Sequence, residues 1–180
     1  MVALPGEAGP DGLRWQERLE WMPGVGTSYH LGVDGFSVPL LLLTGVVFVA
    51  CAVWAQRDTD RPRAQAALFL FLQTTVVGTF AAQDLILFFV FFDLSIVGMY
   101  FVIAGWGHGD RRRSALRFFL YTFLGSLALL LGFIGLYLGS EPRTFDIVEL
   151  IQRGTLAGTP GLAIAVLVAI LIGLAVKTPT

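Results

Sequence analysis

Two side chains in this sequence conflict chemically with their surroundings. Asp93 interrupts FFVFFDLSIVGMYFVI (88–103), and Lys177 closes GLAIAVLVAILIGLAVK (161–177). A charged aspartate near the centre of a hydrocarbon slab costs on the order of 2.5–3.5 kcal/mol. Such a group is protonated, paired with a cation, or turned toward water. Burial disfavours a charged carboxylate and a nearby cation favours it, so a carboxyl held between those pulls can exchange protons. The structural alternative is an aspartic acid kept neutral and hydrogen-bonded between helices. Lys177 is the single lysine among 12 basic residues. A desolvated lysine can lose its proton, whereas an arginine effectively cannot. Two readings stand for Lys177. A lysine at the end of a last apolar segment snorkels to the interface. Pro179, close behind it, instead suggests the interrupted helix typical of transport sites.

The rest of the chain offers no reaction centre. There is no glycine-rich nucleotide motif, phosphate loop, His/Cys cluster or Ser–His–acid arrangement, so no cofactor or metal site is expected in the chain itself. Cys51 is the only cysteine, which excludes an internal disulfide and any cysteine-rich metal or iron–sulfur framework. A net charge of −1 gives no overall bias toward nucleic acid. His30 and His108 fall in loops, where the expected state is a titrating surface imidazole. Asp34 in LGVDGFS is placed to cap a helix, and Asp84 to cap the next but one.

The elements that must hold Asp93 and Lys177 are long apolar runs. Of the 180 residues, 56% are hydrophobic and 14% charged, against about half and a quarter in a soluble domain. A bilayer crossing takes about 20 mostly apolar residues, and segments 36–56, 64–82, 85–105, 118–138 and 161–177 reach or approach that length. The expected fold class is therefore all-α: a polytopic transmembrane bundle over 36–180, behind an N-terminal tail, 1–35. Asp93 is the ninth residue of its span, about 12–13 Å into a slab about 30 Å thick. One set of loops carries Arg57, Arg61, Arg63, Arg111, Arg112, Arg113 and Arg117. The other carries Arg14, Arg18, Arg143 and Arg153, diluted by acids. The positive-inside rule makes the Arg-rich side cytoplasmic and the N-terminus external, with Trp54 and Trp106 at the cytoplasmic interface. The first residues, MVALPGEAGPDG, lack the basic start and apolar stretch of a signal peptide.

Smaller features refine this outline. In TFDIVELIQRG (144–154), Thr144 caps a short surface helix, Phe145, Val148 and Ile151 share its inner face, and Gly154 ends it. Thr74, Gly78 and Ala82 form a stripe of small residues in the second span, flanked by Gln73, Thr75 and Thr79. Close helix packing is one reading of that stripe and a hydrated path is the other. Gly125, Gly132 and Gly135 mark the fourth span in the same way.

WMPGVGTSYHLGVDGFSVPLLLLTG, FFVFFDLSIVGMYFVIAGWGHG, RFFLYTFLGSLALLLGFIGLY, TFD and AVKTP, in that order, resemble the antiporter-like M subunit (chain 4) of respiratory complex I. That complex is the proton-pumping NADH:quinone oxidoreductase. The likeness runs from Trp21 to Pro179 and is closer to M than to its L and N relatives or to Mrp-type antiporter subunits, all of one superfamily. The resemblance implies about fourteen helices in two inverted repeats plus flanking spans. The segments here match its third to seventh, which makes the chain partial at both ends and agrees with an external N-terminus. The family's fifth-helix glutamate corresponds to Asp93 and its seventh-helix lysine, in A-V-K-x-P, to Lys177. In the family those residues form a coupled acid–lysine pair that drives proton loading and release. Here the acid is one methylene shorter, Gly98 replaces the proline before Met-Tyr, and the later lysine and second-half acid have no counterpart. The implied function is a non-redox, M-type subunit contributing part of a proton path. NADH, FMN, iron–sulfur clusters and quinone would sit on partner chains. The implied partners are L-, N- and K-type membrane subunits and the lipid bilayer, without nucleic acid, in a bacterial inner or plasma membrane. The alternatives are an Mrp-type Na+/H+ antiporter subunit and a non-conducting fragment that fills a bundle.

Overall fold

The structure, a computed structural model, describes residues 12–55, 61–154, 156 and 158–178. Arg57 and Pro179 lie outside the described residues. Five helices are long and apolar enough to cross a membrane: α1 (Ser37–Ala55), α2 (Pro62–Ala81), α3 (Leu85–Trp106), α4 (Arg111–Gly139) and α6 (Pro160–Lys177). A short α5 (Ile147–Arg153) lies in the α4–α6 connection. Four spans match the expected limits within two residues. The fourth begins at Arg111 instead of 118, because RRRSALR contains no helix breaker and good helix formers carry the helix past its apolar part. Apolar side chains on α1 and α6 stay exposed, among them Leu42, Val46, Leu167 and Leu171. That is the pattern of helices whose outer faces meet hydrocarbon.

The tail is not featureless. Strands β1 (Arg14–Met22) and β2 (Thr27–Val33) form an antiparallel hairpin with Arg18 opposite His30 and Glu20 opposite Ser28. Its turn, Pro23–Val25, ends on Gly26, whose φ is +69° and where a Cβ would stand 2.8 Å from Arg143 O. Both demands exclude a larger residue. The hairpin is stitched to the α2–α3 turn, where Gln83 N–H donates to His30 O at 2.9 Å. Ile147 N–H then donates to Gln83 O at 2.9 Å, and Phe145 N–H to Gly26 O at 3.2 Å. These links hold hairpin, turn and α5 together at one end of the bundle. At the other end Arg61 and Arg111 both donate to Gly105 O, at 3.4 and 2.9 Å, and the Arg61 guanidinium lies over the Trp106 ring.

Asp34 accepts from the backbone N–H groups of Phe36 and Ser37, and Asp84 from those of Ile86 and Leu87, so both act as caps as expected. The cap of α5 is Asp146 rather than Thr144, whose hydroxyl accepts from Asp146 N–H instead. The buried face of α5 is also shifted: Leu150 is buried with Phe145, while Ile151 is exposed. Phe145 lies ahead of the helix and so does not share a helical face with Val148 and Ile151. In α2 the face against α3 runs through Leu72, Thr75, Gly78 and Ala81, and Thr74 is exposed. The hydroxyls of Thr74, Thr75 and Thr79 all donate to carbonyls of their own helix, as hydroxyls inside a helix commonly do.

Candidate functional site

The position of Lys177 is set by how α6 lies on α4. A Cβ on Gly125 would stand 2.5 Å from Val176, one on Gly132 2.5 Å from Ile170, and one on Gly173 2.8 Å from the backbone N of Leu129. Glycine on both sides therefore lets two helix backbones approach closely. Val176 meets Gly125, the fifteenth of the 29 residues of α4. The last turn of α6 consequently ends at the middle of the bundle and not at its edge.

Lys177 does not snorkel outward. Its Nζ donates to Phe92 O at 2.9 Å and to Ser95 Oγ at 2.8 Å, and lies 3.3 Å from the centroid of the Phe92 ring. Phe92 is the eighth of the 22 residues of α3, so the contact is at mid-helix. Asp93, next to Phe92, is half-buried and faces Ser126 of α4. The Ser126 hydroxyl donates to Phe123 O at 2.9 Å, and Asp93 Oδ1 is buried without a hydrogen-bond partner. The two charged groups interact electrostatically, but no ion pair joins them among the described residues. α3, α4 and α6 thus bring a carboxyl, an amine and two buried serines to one level of the bundle. An aromatic layer of Phe88, Phe92 and Phe133 adjoins them toward the hairpin end. That arrangement can hold two titratable groups of opposite sign where water is scarce.

A second polar cluster, absent from the sequence reading, joins hairpin and α5. His30 is 3% exposed, which corrects the expectation of a surface histidine. Its Nδ1–H donates to Asp146 Oδ2 at 3.0 Å, and Arg18 pairs with the same oxygen at 3.3 Å. Burial alone would push the Asp146 carboxyl up. The hydrogen bonds from His30 and the Glu149 N–H, with the charge of Arg18, outweigh burial and hold it below its ordinary value. Asp84, fully buried, accepts from Thr27 Oγ1 at 2.7 Å and Ser28 N–H at 2.9 Å as well as from its own helix. The turn MPGVG between two strand-like runs was the available signal for the hairpin. His108 is exposed, as expected. Among the described residues no group of three or more His, Cys, Asp or Glu side chains is placed to hold a metal ion.

Comparison with known proteins identifies the family and the fold. A family model described as NADH:quinone oxidoreductase/Mrp antiporter, TM, matches residues 82–180. NAD(P)H-quinone oxidoreductase chain 4 of Gloeobacter violaceus is 41% identical over 144 residues, covering 80% of this chain and 27% of the relative. F(420)H(2) dehydrogenase subunit M of Methanosarcina mazei is 33% identical over 173 residues, covering 93% and 35%. A chain of respiratory complex I from Thermus thermophilus superposes with a TM-score of 0.81 at 29% identity, covering 94% of this chain and 35% of that one. A chain of the Mrp complex from Dietzia sp. shares the fold, with a TM-score of 0.77 at 21% identity, covering 91% of this chain and 18% of the other. The chain spans about a third or less of the length of these relatives.

Proposed function

The chain belongs to the NADH:quinone oxidoreductase/Mrp antiporter transmembrane family, and from that premise we propose that it is a partial M-type subunit. In this reading it supplies part of a proton path to a quinone-reducing complex. Redox centres, nicotinamide and quinone belong to partner chains, and the membrane neighbours are L-, N- and K-type subunits. The Arg-rich end faces the cytoplasm of a bacterial inner membrane and the hairpin faces outward.

One observation carries the proposal: Lys177 Nζ is turned into the middle of α3, on Phe92 O and Ser95 Oγ, beside Asp93. A lysine placed there has left the interface, where its charge is cheap, for a site where it matters energetically. The two groups make no ion-pair contact, and two unit charges somewhat beyond contact distance, at an effective dielectric of about 20, interact by roughly 2–3 kcal/mol. Coupling of that size changes the protonation equilibrium of one group by one to two orders of magnitude when the other gains or loses charge. Asp93 Oδ1, with no hydrogen-bond donor committed to it, is the atom available to take a proton. The pair therefore loads and releases protons as its two charges move together and apart.

The test is Asp93→Asn in the assembled complex containing this chain. Protons translocated per electron fall, while quinone reduction and assembly persist. Unchanged translocation removes the assignment. The family includes both complex I-type and Mrp-type members, and sodium-dependent transport without quinone reduction would select the antiporter reading instead.

A further inference from the structure

The ammonium of Lys177 meets three acceptors that all belong to α3 and none of which is Asp93. Phe92 O accepts from Nζ at 2.9 Å, Ser95 Oγ accepts at 2.8 Å, and the ring of Phe92 lies under the charge at 3.3 Å. The Ser95 hydroxyl has already committed its hydrogen to Phe92 O, at 2.6 Å. Its lone pairs are thus what it presents to the amine. An ammonium has three N–H donors and no acceptor. Two oxygens and the negative face of an aromatic ring complement that donor set.

We infer that Ser95 is a positioning residue that, with the carbonyl and ring of Phe92, forms a cradle holding the Lys177 ammonium on α3 apart from Asp93. Successive residues of a helix project about 100° apart. Phe92 and Ser95, three positions apart, share a face of α3, and Asp93 points around the helix toward Ser126. The lysine therefore has a docking place that does not depend on the acid, and engaging Asp93 requires leaving it. A neutral amine loses the charge-assisted part of every cradle contact, so the cradle distinguishes the protonated from the deprotonated lysine. This deepens the proton-path reading and rests on it for its functional meaning: the cradle is one of two stations between which the amine moves.

Because Lys177 is the only lysine in the sequence, labelling with [ζ-15N]lysine gives a single amine resonance from the full chain in phospholipid nanodiscs. The expected wild-type signal has protons shielded by the Phe92 ring and exchanging with water at least about tenfold more slowly than a free lysine side chain. Ser95→Ala speeds that exchange about tenfold, the size of one lost hydrogen bond to a charged group. Ser95→Thr keeps the acceptor and restores slow exchange. Ser95→Cys keeps the volume, offers only a weak acceptor, and behaves like Ser95→Ala. Phe92→Leu removes the shielding. A wild-type resonance resembling free lysine overturns the inference. So does the opposite variant order, with cysteine behaving as wild type and threonine impaired, because packing alone would then explain Ser95. The readout needs no transport, so failure of the pumping test leaves the cradle standing, whereas a variant order that shows packing alone at Ser95 overturns the cradle and leaves the Asp93 assignment standing.

Discussion

Replacing Asp84 with alanine undocks the β1–β2 hairpin. The carboxylate has no solvent exposure and accepts four hydrogen bonds, from Thr27 Oγ1, Ser28 N, Ile86 N and Leu87 N. The last two are a helix cap, worth about 1 kcal/mol. The first two leave a buried hydroxyl and a part-buried N–H without their acceptor in the variant, at roughly 1–3 kcal/mol each. These contributions do not add in full, because the hairpin can lift away and rehydrate its donors. A net loss of roughly 3 kcal/mol is therefore expected, more than about a hundredfold in the docking equilibrium. Amide hydrogen exchange of residues 27–33, measured on the whole chain in nanodiscs, should accelerate by that factor or until the hairpin is fully released. Amides in the middle of α3 should be unaffected. Asp84→Asn keeps one acceptor oxygen but turns an amide toward the Ser28 N–H, so it should fall between wild type and alanine. If Asp84→Ala left hairpin exchange within about threefold of wild type, the clasp described here would not be what holds the hairpin.

Two further outcomes follow from other contacts. Gly173→Ala places a methyl 2.8 Å from Leu129 N and 2.9 Å from Gly125 O. Backbone cannot yield cheaply, so SDS-induced unfolding in mixed micelles should show a loss of about 1–3 kcal/mol, with α6 pushed away from α4. Hairpin docking should also depend on pH through Asp146. Its folded-state value lies below the ordinary 3.8, so the contribution is fully present above that value and is lost as pH falls through the depressed one. Exchange protection of the hairpin should hold from neutral pH down to about 4 and decline below it. Asp146→Asn should flatten that acid decline.

The spans and their order were legible because hydrocarbon imposes one dominant rule on sequence: about 20 apolar residues, with polar backbone satisfied inside the helix. The start of α4 was not legible by that rule, since Arg111–Arg117 is helical by propensity and not by hydropathy. The candidate site was legible in part. Asp93 and Lys177 stood out as ionisable residues in apolar runs, yet 84 positions of chain separate them, and only the glycine contacts between α4 and α6 bring Lys177 to the depth of Asp93. Ser95 was invisible, because a serine within a span most often bonds its own helix, and here it does so while also accepting from Lys177. His30 was misjudged because a histidine outside the spans looks solvated until a hairpin and the α5 cap close over it. The same closure buries Leu150 and leaves Ile151 outside.

The claim that Asp93 and Lys177 sense each other's charge is tested most directly by a double-mutant cycle on the chain itself. Asp93→Asn, Lys177→Met and the double variant are compared with wild type by reversible unfolding in mixed micelles. Removing one partner strands the other charge, and removing both does not. The double variant should therefore be more stable than the sum of the single losses implies, with an interaction energy of roughly 2–3 kcal/mol. Losses that add to within about 0.5 kcal/mol would mean that the two groups are independent, and the coupled acid–lysine account would be wrong.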